Sequence, residues 1–152
     1  MPEINLFLDS SALIDGVVSS TGASRVLLAL AESGQITLTI SEQVLAESER
    51  AIARKTPRAL SDFRQAILVS KPRIVRDPSP AEVRTHAGLI SHAADVPILL
   101  AAMQVKADYL VTLNRKHFID DPGVEKQAGL RIGTPGEALS WARGQIFSDE
   151  PG

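Results

Sequence analysis

The 152-residue chain contains no cysteine, which excludes disulfide scaffolds and thiolate metal centres together. Any bound metal must then be held by oxygen or imidazole. With three histidines against eighteen carboxylates, the weight falls on oxygen. Aromatic residues are scarce at 4%, so a nucleic-acid surface built from stacking platforms is not expected. A surplus of positive charge is lacking too. The formal net charge of −2 gives no global pull towards polyanions, and a nucleic-acid partner would need a local basic patch. No apolar run approaches the roughly 20 residues of a membrane span, the longest being Pro97 to Met103. The opening MPEINLFLD has neither a basic region nor a cleavage site and reads as a first strand. A cytoplasmic protein without a membrane segment is the expectation.

What is present is globular composition, 44% apolar and 22% charged, in a length suited to one hydrophobic core. Ile4 to Leu8 is a short apolar run stopped by Asp9-Ser10-Ser11, the pattern of a buried strand reaching its end. Val26, Leu27, Leu30 and Ala31 recur at helical spacing before Gly34, and Ile36 to Ile40 alternates as a second strand. Ser41 is a helix cap for the segment carrying Val44, Leu45, Ala51 and Ile52, which ends near Pro57. A further helix is expected over 58–69, a brief strand at Ile74-Val75, and a helix start at Ser79-Pro80-Ala81-Glu82. Asp95 stands where a cap would open a helix apolar on nearly every side, Ile98 to Val105, which must therefore be buried. Tyr109 to Leu113 and Leu130 to Ile132 follow as strands. Thr134-Pro135-Gly136-Glu137 carries a capping-box pattern that opens a last helix through Trp141.

Strands alternating with helices predict an α/β chain, a three-layer α/β/α sandwich on a parallel sheet of four to five strands. One domain over 1–147 and a polar tail over 148–152 are expected. In such a sheet, ligands bind outside the carboxyl ends of the strands, where strand order reverses. Asp9 follows the first strand, Glu47 and Glu49 lie on the helix after the second, Asp95 opens the buried helix, and Asn114 follows the Tyr109 strand. Helical angles place Glu47 and Glu49 on opposite flanks of the apolar stripe, and periodicity does not choose between them. Two ionised carboxylates ~5 Å apart repel by roughly 3 kcal/mol at an effective dielectric of about 20, so a converging set calls for a divalent cation or a proton. Ser11 and Thr112 are small polar neighbours of this edge. Arg115 and Lys116 follow Asn114, where they are placed to contact phosphates.

At these residues the sequence resembles the PIN-domain family, many of whose members are toxins of bacterial toxin-antitoxin pairs. The likeness rests on FLDSSALI with Asp9, SEQVLAESERAI with Glu47, ADVPILLAAMQVKADYLVTLNRKHF and the closing RIGTPGEAL, in that order along nearly the whole chain. It implies a ribonuclease dependent on Mg²⁺ or Mn²⁺, with Asp9, Glu47 and Asp95 as metal-binding carboxylates. It also implies a homodimer and a cognate antitoxin covering the acidic groove. One departure is plain: Asn114 stands where the family commonly has a fourth acid. An amide oxygen can ligate or orient a water but carries no charge. The competing expectation is therefore a catalytically weak or inactive PIN-fold module that binds RNA or protein.

Overall fold

The computed structural model describes residues 3–148. Five strands form one sheet: β1 (Asn5–Leu8), β2 (Thr37–Ser41), β3 (Arg73–Val75), β4 (Tyr109–Val111) and β5 (Arg131–Gly133). All neighbours are parallel, in the order β3-β2-β1-β4-β5. The connections carry α1 (Ser10–Val18) and α2 (Ala23–Glu32), then α3 (Glu42–Lys55) and α4 (Leu60–Ser70). After β3 come α5 (Pro80–Thr85) and α6 (Val96–Gln104), then α7 (Pro122–Ala128) before β5 and α8 (Pro135–Ser148) after it.

This order decides where a site forms. The chain builds outward from β1 to β3, then crosses back over β2 and β1 to lay β4 on the other side of β1. Parallel crossovers are almost always right-handed, so a reversal of direction sends the later helices to the opposite face and opens a crevice at the carboxyl ends of the two diverging strands. Those strands are β1 and β4, paired through Leu6 with Tyr109, Phe7 with Leu110 and Leu8 with Val111.

Burial follows from the same layering. Leu6, Phe7 and Leu8 of β1, Leu38 and Ile40 of β2, and Leu110 and Val111 of β4 are all buried, with Leu99, Ala101 and Ala102 of α6 packed among them. Each large side chain removed from water in this way contributes about 1.5–3 kcal/mol. The edge strand β3 leaves Arg73 and Ile74 exposed. Helix α1 crosses α2 closely at Gly16, where an added Cβ would lie 2.8 Å from Leu28 Cδ1 and 3.2 Å from the Ser24 carbonyl oxygen.

Local signals in the sequence were good guides to the helix starts. Ser41 Oγ accepts from the Val44 N–H at 3.3 Å. Ser79 and Glu82 form a reciprocal capping box, and so do Thr134 and Glu137. The last helix runs to Ser148 rather than stopping near Trp141. Ser148 therefore belongs to that helix instead of the expected tail, and 149–152 lie outside the described residues. Short helix α7 was not anticipated. It is built on Asp121, which caps through Gly123, and on Gly129 at positive φ. Among the described residues, no single helix is long and apolar enough to cross a membrane.

Candidate functional site

Asp9 is the first residue beyond β1, and its N–H still pairs with the Val111 carbonyl at 3.1 Å, so the strand pairing carries it to the β4 edge. Its extended backbone (φ −81°, ψ 176°) then turns the chain into α1. The carboxylate caps that helix: Oδ1 accepts from the Ala12 N–H at 3.0 Å and from Ser11 Oγ at 2.7 Å, and Oδ2 accepts from Thr112 Oγ1. The two hydroxyls are themselves fixed by the segment after β4, Ser11 Oγ accepting from Leu113 N–H at 3.0 Å and Thr112 Oγ1 from Asn114 N–H at 2.9 Å. Two side-chain bridges thus tie the end of β1 to the end of β4.

Only 4% of Asp9 is exposed. Burial raises its pKa above the ordinary carboxylate value. Hydrogen bonds from Thr112, Ala12 and Ser11 oppose that rise without cancelling it, and the charge of Asp95 adds to it. Among the described residues Asp9 has no ion-pair partner.

Glu47 sits on α3, two turns beyond the Ser41 cap. Its Oε2 accepts from Ser10 Oγ at 3.3 Å and its Oε1 from Gln43 Nε2 at 2.8 Å. The same Gln43 nitrogen lies 3.5 Å from the Ala94 carbonyl. Glu47 is therefore joined on one side to the neighbour of Asp9 and on the other to the neighbour of Asp95. Structure separates what periodicity left open, since Glu49 turns away to pair with Arg64 at 3.1 Å.

Asp95 departs from its expected local role. It closes a 3₁₀ turn, Ala93–Asp95, with αR backbone geometry, and its side chain makes no capping hydrogen bond to α6. The carboxylate instead turns towards two imidazoles. Oδ2 lies 2.8 Å from His117 Nδ1 and 3.3 Å from His92 Nδ1, with the Asp95 side chain 14% exposed. The two rings stack at 4.0 Å between centroids and 19° between planes.

Asn114 is committed to this arrangement. Its Oδ1 accepts from the His117 N–H at 3.2 Å, capping a single π turn (Arg115–Ile119), and its Nδ2 lies 2.8 Å from His117 Nδ1. Arg115 reaches Glu137 at 3.7 Å, and Lys116 is exposed.

Asp9, Glu47, Asp95, Asn114, Ser11 and Thr112 thus gather at one end of the sheet, while Asp108 lies at the other, accepting from the Asn5 N–H at 2.8 Å. Neither His92 nor His117 is among the candidates the sequence pattern singles out, yet both belong to the group. The available signal was the Asn-x-x-His spacing of a capped turn, which says that Asn114 and His117 touch but not what else they meet.

The donor chemistry fits a divalent ion. Asp9 is buried, feels the charge of Asp95 and has no ion-pair partner among the described residues, and Mg²⁺ is commonly held by one or two carboxylates with waters completing its shell. The donor atoms of His92, Asp95 and His117 all lie within 4.8 Å of one another, and Asp9 and Glu47 lie outside that trio. A groove of about 410 Å³ between α1, α2 and α4, floored by Val17, Leu28 and Ala66, is remote from these groups.

A five-stranded parallel sheet in the order β3-β2-β1-β4-β5, flanked by helices, is the PIN-like α/β architecture. The PIN-domain family model matches residues 5–116, and the chain belongs to that family. In fold it is similar to VapBC2 of Rickettsia felis, solved bound to a DNA fragment from their promoter, with 22% identity, TM-score 0.61 and coverage of 86% of this chain and 98% of that one. PAE2754 of Pyrobaculum aerophilum aligns at 17% identity and TM-score 0.65 over 93% and 91% of the two chains. FitAcB from Neisseria gonorrhoeae aligns at 20% identity and TM-score 0.56 over 86% and 98%. No curated protein matches the chain significantly.

Proposed function

We propose that the protein is a divalent-metal-dependent endoribonuclease, the toxin of a toxin-antitoxin pair. The observation that carries this reading is Asp9: a buried carboxylate at the switch point of the sheet, near enough to Asp95 to feel its charge and without an ion-pair partner among the described residues. Asp9, Glu47 and Asp95 would hold the ion, Mg²⁺ or Mn²⁺. The chemistry such an ion supplies when bound is activation of a water and neutralisation of charge building on the phosphate.

The chain's own groups do the positioning. Thr112 and Ser11 fix both oxygens of Asp9, so its carboxylate cannot rotate away. Gln43 and Ser10 orient Glu47. The exposed Lys116, beside the partly paired Arg115, offers positive charge to the RNA backbone at the crevice mouth.

The structural neighbours include VapBC2 and FitAB assemblies on DNA, which supports a cognate antitoxin for this chain too. We read it as a cytoplasmic homodimer in its free form. The second reading, a PIN-fold module that binds RNA or protein without cutting, is favoured by one feature: the amide of Asn114 is occupied by His117 and is turned away from any acid-like role.

Purified protein incubated with end-labelled RNA separates the two. The nuclease reading expects cleavage with Mg²⁺ or Mn²⁺ that stops with EDTA and in Asp9→Asn. Cleavage that survives in Asp9→Asn, or RNA binding without cleavage in either ion, rejects it.

A further inference from the structure

His92, Asp95 and His117 bring two imidazole nitrogens to a single carboxylate oxygen. Asn114 holds His117 in place, its Oδ1 accepting from the His117 backbone N–H at 3.2 Å and its Nδ2 lying 2.8 Å from Nδ1. Asp95 Oδ2 lies 2.8 Å from that same Nδ1 and 3.3 Å from His92 Nδ1, so the donor atoms of all three side chains converge within 4.8 Å of one another. Two imidazoles and a carboxylate meeting in this way form the donor set of a transition cation.

The spacings suit one. Bonds of about 2.1 Å in an octahedral shell put neighbouring ligand atoms about 3 Å apart, and the two separations bracket that edge. Stacking adds a constraint, because imidazoles lying face to face direct their in-plane lone pairs along nearly parallel lines. Both reach one ion only if a ring turns. His92, 50% exposed and on the loop before the 3₁₀ turn, has that freedom, whereas His117 is pinned by Asn114 and is 28% exposed. On binding, the amide N–H of Asn114 releases Nδ1 to the ion, and Asn114 keeps its hold on the turn through the backbone.

We propose that His92 and His117 join Asp95 in a mixed nitrogen–oxygen site that selects a first-row transition ion over Mg²⁺. The inference deepens the nuclease reading by naming the metal class, and rests on it only in placing Asp95 at the metal. Nitrogen donors discriminate strongly in this respect: Mg²⁺ keeps to oxygen, while affinity for imidazole rises from Mn²⁺ through Co²⁺ and Ni²⁺.

The test uses the full chain and two readouts. Co²⁺ is titrated into wild type, His92→Ala, His117→Ala and Asp9→Asn while its visible absorption is recorded, and Mg²⁺ and Zn²⁺ affinities are measured by calorimetry. Wild type should bind Co²⁺ and Zn²⁺ at least about tenfold more tightly than His117→Ala, the lower end of what even outer partners of metal ligands contribute. Mg²⁺ affinity should be alike in the two. His92→Ala, altered at a half-exposed loop position, should weaken Co²⁺ binding and change its spectrum without disturbing the fold. Identical Co²⁺ spectra and affinities in wild type and both histidine variants overturn the proposal, as does failure of wild type to bind Co²⁺. RNA cleavage is scored separately: Mg²⁺-supported cutting with histidine-independent Co²⁺ binding removes this site and leaves the nuclease standing. Histidine-dependent Co²⁺ binding in a chain that cuts no RNA does the reverse.

Discussion

Replacing Asp9 by asparagine should stabilise the metal-free protein and abolish any stabilisation by Mg²⁺, so that the two thermal curves exchange order. Asparagine has the same shape and ranks equally as a helix cap. Its Oδ1 can keep the bonds from Ala12 and Ser11, while Thr112 Oγ1 turns from donor to acceptor. What is removed is a buried charge, whose desolvation is the largest cause of the raised pKa, with the charge of Asp95 the smallest. The effective penalty for burying an incompletely compensated ion is on the order of 3 kcal/mol. Against that stands the loss of a favourable charge at the N-terminus of α1, about 0.3–1 kcal/mol. The balance is a gain of about 2 kcal/mol in EDTA, which for a chain of this length raises Tm by about 4–8 °C. With free Mg²⁺ about a hundredfold above Kd, wild type should gain about 2.7 kcal/mol and the variant nothing, cancelling or reversing the difference. Differential scanning fluorimetry with EDTA and with a Mg²⁺ series checks both halves. An Asp9→Asn protein less stable than wild type in EDTA, or one that still shifts with Mg²⁺, refutes the electrostatic argument.

Thr112→Val keeps the shape of the side chain but strips Asp9 of a donor and the Asn114 N–H of its acceptor, and should cost about 2–4 kcal/mol by urea denaturation. Ser48 is buried in the middle of α3, and its hydroxyl has no hydrogen-bond partner among the described residues. Ser48→Ala should therefore stabilise by about 1–2 kcal/mol in the same assay, by relieving desolvation and improving helix propensity. At the capping box of α5, the backbone N–H and hydroxyl of Ser79, together with Gln104, hold the Glu82 carboxyl below its ordinary pKa. Stability from that box is thus present above the unfolded-state value and lost as pH falls through the lowered folded value. Amide protection factors in α5, taken relative to the intrinsic exchange rate at each pH, should fall in acid for wild type and lose that pH dependence in Glu82→Gln.

The sheet was readable because its central strands are buried on both faces and appear as unbroken apolar runs, as at Leu6-Phe7-Leu8 and Tyr109-Leu110-Val111. Asp9 was readable for the same reason, being the residue at which such a run stops. Helix α7 and the π turn were not, since they depend on caps from Asp121 and Asn114 rather than on periodicity. Asp95 was legible as a position and misread as a cap, because a carboxylate at a helix start ordinarily bonds the free N–H groups, and its choice of His92 and His117 is settled only by how two loops dock. Glu47 and Glu49 were indistinguishable by angle. Their difference comes from Gln43 and Ser10 on one side and Arg64 on the other, contacts that a single helix does not reveal.

The bond between Thr112 and Asp9 joins residues 103 positions apart in sequence. A chain emerging from the ribosome presents Asp9 early and Thr112 late. Any chain that ends before the fourth strand lacks Val111 and Thr112, and with them the bonds that hold both the backbone and the carboxylate of Asp9 in place.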